Sequence, residues 1–193
     1  NPREKMERNF SKNQPRSTPH HRFKFFRKWL QSTKYNTYIE NVDILPFKCP
    51  LNSEFNSKLD KEKQFFWKDI YEFSTSMKKP ITDVIDLTDS YKYYTTRSLD
   101  LFNINHHKYF LDRRDIPDDR TVNLIIDKID EIIKNGGVVG IHCLHGRNRT
   151  GYILCNYLIK KLGWEPKAAL DGFNKARGEK ISKKQYIQAL LNK

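Results

Sequence analysis

One stretch constrains this chain more than any other: Val138-Val139-Gly140-Ile141 running into His142-Cys143-Leu144-His145-Gly146-Arg147-Asn148-Arg149-Thr150-Gly151. The first four residues read as a short buried strand, and the run from Tyr152 to Leu162 reads as a helix. A strand that turns through a tight loop into a helix points unpaired backbone N–H groups, and the positive end of the helix dipole, into one small bowl. A phosphate group fits such a bowl.

Each loop residue then has an expected task. A free cysteine titrates near pKa ~8.5, and a helix N-terminus with neighbouring cations lowers that value. Cys143 is therefore expected as a thiolate at neutral pH, the form that attacks phosphorus. Arg149 begins the helix, and its planar fork can grip two phosphoryl oxygens and the charge that develops on them. Leu144, His145, Gly146, Arg147 and Asn148 are expected to surround the phosphate, with Gly146 supplying backbone angles that other residues resist. Thr150 can donate a hydrogen bond to the Cys143 sulfur, and His142 and Asn148 brace the loop.

Two other readings compete. Cys143 as an ordinary buried cysteine does not require Gly146, Arg149 and Thr150 at these offsets. His142, Cys143 and His145 as metal ligands lack a CxxC pair or second cluster to close a coordination set. No metal and no cofactor is expected.

The pattern HC-x5-RTG resembles that of the cysteine-dependent phosphatases, the protein tyrosine and dual-specificity phosphatases. The fuller string from His142 to Ile159 is similar to a narrower branch, the RNA 5′-triphosphatases. That branch holds the triphosphatase domain of metazoan capping enzymes, the baculovirus RNA phosphatase and the stand-alone RNA/RNP-complex-interacting phosphatases. Phe47-Lys48-Cys49-Pro50-Leu51, Ile85-Asp86-Leu87-Thr88 with Tyr93-Tyr94, and Ala176-Arg177-Gly178-Glu179-Lys180-Ile181 agree with it. The similarity spans about Phe23 to Leu191. It implies attack of Cys143 on the γ-phosphorus of 5′-triphosphorylated RNA, a phosphocysteine intermediate and hydrolysis by water without a metal. It also implies action on diphosphorylated ends in stand-alone enzymes, ribonucleoprotein or small-RNA-processing partners, and a nuclear, or also cytoplasmic, location. No guanylyltransferase domain follows Lys193, so a stand-alone enzyme is the expectation.

Charge fits a polyanionic partner. The 193 residues carry a formal net charge of +13. Residues 1–36 hold ten Lys/Arg against two acids, so most of the excess lies there. Residues 1–21 read as a basic disordered tail with little apolar surface to bury, and 22–193 as a single catalytic domain. From Arg22 to Leu30 aromatic residues interleave with Arg and Lys, a pattern able to track an RNA backbone. Three cysteines at unpatterned positions and no membrane-length apolar run suggest a reduced intracellular compartment and no membrane partner.

The rest reads as an α/β scaffold, a mainly parallel sheet with helices on both faces and its ligand outside the carboxyl ends of the strands. Strands are expected at Ile44–Pro46 and Phe47–Cys49 (one strand or two), Thr82–Leu87 and Lys108–Leu111. Helices are expected at Phe65–Met77, Val122–Ile133 (ended by Gly136-Gly137), Pro166–Ala176, and from a Ser182/Gln185 capping box to about Leu191.

A general acid is less visible. Dual-specificity phosphatases place an Asp on the loop after the third strand, here Leu111-Asp112-Arg113-Arg114-Asp115. The RNA branch usually lacks it. Asp112 and Asp115 therefore leave a protein phosphatase of phosphotyrosine and phosphoserine/threonine open as the alternative. Arg113 and Arg114 either hold neighbouring phosphates or face solvent; Lys180 and Lys183-Lys184 either flank the pocket or form a solvated rim. Asp86, ending a strand on the phosphate side, is either a site residue, as the resemblance implies, or a turn cap.

Overall fold

The computed structural model describes residues 26–193. The chain divides into two units, Asn1–Gln31 and Ser32–Lys193. In the first, the described residues 26–31 are helical; the expected tail over 1–21 and the boundary at Arg22 lie outside the described residues. All that follows concerns the second unit.

Four short strands form one parallel sheet: β1 (Ile44–Phe47), β2 (Asp83–Asp86), β3 (Asn105–Lys108) and β4 (Val139–His142), in the order β1-β4-β2-β3. Every residue of β1, β2 and β4 is buried, so both sheet faces are covered. Five longer helices follow in chain order: α1 (Trp67–Ser76), α2 (Asp119–Lys134), α3 (Asn148–Lys160), α4 (Pro166–Arg177) and α5 (Lys184–Leu191). Helix α3 is buried from Arg149 through Leu158 and packs against α2, α4 and α5. On α2 the buried positions Val122, Ile125, Ile126, Ile129 and Ile132 fall at helical spacing, and Asp118 caps its start by accepting from the Thr121 amide at 2.7 Å.

Two expected elements differ. The third strand lies at Asn105–Lys108 rather than Lys108–Leu111. Its residues are polar and give no apolar signal. They pair because His107 meets Asp83, and His106 and Lys108 meet Asp86, across the edge of β2. The Ser182 capping box does not form either. Lys183 occupies the cap position of α5, while the Ser182 amide and hydroxyl engage the Asn148 side chain at 2.9 and 3.1 Å. Ser182 thus ties the start of α3 to the approach to α5.

The strand register fixes where chemistry collects. Phe47, His142, Asp86 and Lys108 are cross-strand partners in one line at the carboxyl end of the sheet. The loop from Cys143 to Arg147 leaves the sheet one residue beyond that line.

Candidate active site

Four consecutive carbonyls of the loop are each held by a donor. His142 Nδ1 bonds the Cys143 carbonyl, the Cys49 amide the Leu144 carbonyl, Arg177 Nη2 the His145 carbonyl and Arg177 Nε the Gly146 carbonyl, every one at 3.0 Å. A trans peptide carries its N–H opposite its C=O. Pinning these oxygens on the outside therefore turns the N–H groups of Leu144, His145, Gly146 and Arg147 to the inside. Gly146 makes the curvature possible. Its φ is +67°, and an added Cβ would lie 2.3 Å from the Phe47 carbonyl oxygen. The result is a concave nest of amides at the N-terminus of α3, suited to an anion.

Cys143 lies at the floor of this nest and is buried. Burial alone would raise its pKa. Arg149, the Thr150 hydroxyl and amide, and the Gly146 amide outweigh burial and hold the thiol below its ordinary value. Neither of the other two cysteines shares this setting. Burial pushes both Cys49 and Cys155 up, Cys49 further through Asp86.

The Arg149 guanidinium is buried, and its Nη1 donates to the carbonyls of Leu87, at 3.3 Å, and Leu111, at 3.1 Å. Those oxygens sit just past β2 and β3, so the two strand ends aim the arginine beside the sulfur. Arg147 does not join it. Its Nε is turned to the Lys180 carbonyl at 3.1 Å and to Glu179 at 3.3 Å. Asn148 braces the loop through Ser182 and Lys183, as its sequence position suggested.

Asp86 is not in the bowl but behind it. Its Oδ1 accepts from the Thr88 amide and hydroxyl at 2.9 and 2.6 Å, and its Oδ2 is bonded to Tyr94 at 3.0 Å and His106 at 2.9 Å. Lys108 lies 3.3 Å from both oxygens. Against the upward push of burial, these partners hold its carboxyl well below the usual carboxylate range. His142 itself is lowered by burial, against the pull of Asp86. His142 and Asp86 pull on each other across 3.8 Å, and His106, Thr88 and Lys108 add to the hold on Asp86. The Tyr94 hydroxyl stands between Asp86 and His142, 2.7 Å from the latter's Nε2. Asp86 therefore positions Tyr94, Tyr94 positions His142, and His142 holds the Cys143 carbonyl.

Arg177 is the residue the sequence did not single out as part of the site. It is fully buried, and besides its two loop carbonyls it donates to the Thr33 hydroxyl and carbonyl at 2.8 and 2.6 Å. Burial lowers its pKa to about 10, which still leaves it charged at neutral pH. Arg177→Met removes these charge-assisted bonds and is expected to lower stability by about 3 kcal/mol or more. Arg177→Lys, which keeps the charge but not the fork, is expected to move the pH midpoint of Cys143 alkylation upward, because the amides no longer face the sulfur. An unmoved midpoint in a folded Arg177→Lys protein would contradict the positioning role.

The mouth of the bowl is basic. Arg149, Cys143, Arg113 and Asp112 all act electrostatically on Lys183, whose ammonium donates to the Arg113 carbonyl. Asp112 is exposed and locked to Arg114, accepting from its amide at 2.8 Å and from its guanidinium at 3.2 and 3.1 Å. These bonds lower its pKa to about 2. Asp115 contributes its backbone carbonyl to the Tyr186 hydroxyl at 2.9 Å. Among the described residues, no three His, Cys, Asp or Glu side chains cluster as a metal-ligand set, and no helix is long and apolar enough to cross a membrane.

A family model described as "Dual specificity phosphatase, catalytic domain" matches residues 65–193. A "Tyrosine-protein phosphatase" of Autographa californica nuclear polyhedrosis virus is 33% identical over 171 residues, covering 86% of this chain and 99% of the viral protein. The "RNA/RNP complex-1-interacting phosphatase" of Mus musculus is 32% identical over 167 residues, covering 84% of this chain and 52% of the mouse protein. The chain spans about half the length of such cellular relatives. In three dimensions it is similar to the solved structure "Crystal structure of Tk-PTP in the active form", with a TM-score of 0.62 at 17% identity over 82% of this chain and 94% of that one. Sequence and fold therefore agree with the chemistry of the nest: the chain belongs to the dual specificity phosphatase family and is a phosphatase of the cysteine-dependent class.

Proposed function

We propose that this enzyme removes the γ-phosphate from 5′-triphosphorylated RNA. The observation that carries the reading is the state of Asp112. Its exposed carboxylate is engaged by the Arg114 amide and guanidinium, which oppose the protonation that a general acid requires. A tyrosine leaving group departs as a phenolate of pKa about 10 and gains greatly from protonation. A nucleoside-diphosphate end departs as a phosphate whose second pKa is only about 6. The second leaving group suits a site without an acid. The basic mouth formed by Arg113 and Lys183, the net charge of +13 and the RNA-related name of the mouse relative support the same substrate.

In this reading the Cys143 thiolate attacks the γ-phosphorus, an S–P bond forms, and the bond to the bridging oxygen breaks with its electron pair leaving on the β-phosphate. Arg149 and the loop amides hold the three equatorial oxygens, where the charge spreads. Water then attacks the phosphocysteine, releasing inorganic phosphate and restoring the thiolate. Asp86, Tyr94, His142 and Arg177 act through the loop's shape. The charge is met by Arg149 and backbone dipoles, so no step requires a metal.

The alternative, a protein phosphatase, needs an acid on the Asp112 loop. Asp112→Asn and Asp115→Asn, made singly and together, separate the two. Phosphate release from 5′-triphosphate RNA is expected to change by less than about threefold, where loss of a working general acid costs about 100-fold or more. A loss of that size on RNA would count against the proposal.

A further inference from the structure

The two segments whose carbonyls hold Arg149 also carry two exposed aromatic rings. Phe110 is one Cα step, about 3.8 Å, before Leu111, and Tyr91 lies four residues after Leu87. Tyr91 is 63% exposed and Phe110 57%. Their rings meet edge to face with centres 5.2 Å apart. The Lys108 ammonium stands 5.0 Å from each ring centre. That ammonium is itself buried and committed to Asp86, the Thr88 hydroxyl and the Ser90 carbonyl. A fixed internal cation thus holds both rings from one side while their remaining surface meets solvent. Single exposed aromatics are ordinary; a pair anchored over a buried ammonium is a built surface.

Its place in the fold points to what it holds. Arg149 and Arg113 act electrostatically on Tyr93, and Asp89 acts on Arg114. Arg149 Nη1 also bridges the Leu87 and Leu111 carbonyls, so the 88–93 turn and the 112–114 segment both set out from beside the arginine of the bowl. In a triphosphorylated RNA, a polyphosphate and a ribose separate the reacting phosphorus from the first base. A base-binding surface belongs at the mouth, beside cations placed for the intervening phosphates. The ring pair is carried by the two segments whose Leu87 and Leu111 carbonyls hold Arg149, with Phe110 three residues before Arg113.

We propose that Tyr91 and Phe110 form the platform on which the first nucleobase of the RNA stacks, an inference that rests on the triphosphatase reading. Aromatic stacking is tolerant of base identity because every base presents a π-face, so the platform senses that a base is present rather than which one.

The test compares kcat/KM for a 5′-triphosphate RNA with that for the same RNA carrying an abasic first nucleotide. Wild-type enzyme is expected to prefer the base-bearing end by about tenfold or more. Tyr91→Ala combined with Phe110→Ala is expected to bring that ratio close to one. Phe110→Trp is expected to keep it, which separates loss of the ring from loss of the fold. A wild-type ratio near one, or a ratio that survives the double alanine change, overturns the platform and leaves the triphosphatase reading standing; this includes the case in which the rings instead dock a protein partner. Wild-type enzyme that releases no phosphate from either RNA overturns both together.

Discussion

Cys143→Ser is expected to reduce phosphate release by about four orders of magnitude or more while leaving phosphate binding in place. The reason is the narrowness of the device that activates the sulfur. Arg149, the Thr150 hydroxyl and amide and the Gly146 amide overcome burial and bring a thiol below its ordinary value. The same surroundings leave a serine hydroxyl protonated throughout the working pH range, and a protonated hydroxyl is a poor nucleophile. The amides and Arg149 remain, so vanadate or product phosphate should still bind the variant. The sign of the pH dependence follows from the lowered pKa. In wild-type enzyme the thiolate persists as pH falls below the ordinary thiol range, so the acid limb of kcat/KM contributed by Cys143 lies below that range. Iodoacetamide at a pH below the ordinary thiol range should label Cys143 and spare Cys49 and Cys155, both of which burial pushes the other way. Labelling that begins only above the ordinary thiol range would contradict this account of the nest.

Arg149→Lys carries the second large expected effect, a fall in kcat of about 100-fold or more, with vanadate inhibition weakened in parallel. Arg149 has two duties that a lysine cannot share. Its Nη1 is held by the Leu87 and Leu111 carbonyls, which leaves other N–H groups of the fork for two phosphoryl oxygens. An ammonium is a point donor without that planar division of labour. Turned to the phosphate, it abandons the strand-end carbonyls; turned to the carbonyls, it leaves the transition-state charge unmet. Full activity in Arg149→Lys would mean that the loop amides alone stabilise that charge.

The catalytic loop was legible in the sequence because its signals are local. A buried apolar run, a cysteine, a glycine and an Arg-Thr-Gly at fixed offsets define strand, nest and helix within fourteen residues, Val138 to Gly151. What was not legible depends on contacts between distant segments. Arg177 lies 31 residues from Gly146, and its Ala-Arg-Gly setting marks a helix end without saying that the side chain turns inward to grip loop carbonyls. Asp86 was rightly placed at the strand end nearest the bowl. Its direction, toward Tyr94 and Lys108 rather than the phosphate, is set by the pairing of β2 with β3, and β3 was displaced because Asn105–Lys108 carries no apolar pattern. Arg147 stands among the loop residues in sequence, and its partners Glu179 and Lys180 are brought beside its Nε by the turn after α4. Ser182 has the right neighbours in sequence for a capping box, but Asn148 competes for it in space. In each case the residue type was informative and its partner was not, since the partner comes from another part of the chain.

The central claim is that the nest serves a leaving group that needs no proton and a charge that needs no metal. The most direct measurement compares phosphate release from a 5′-triphosphate RNA oligomer with release from a phosphotyrosine peptide, both in EDTA and both with Cys143→Ser as the control. The account predicts strong preference for the RNA, undiminished by EDTA and lost in the serine variant. Preference for the peptide, or release from RNA that disappears in EDTA, would contradict it.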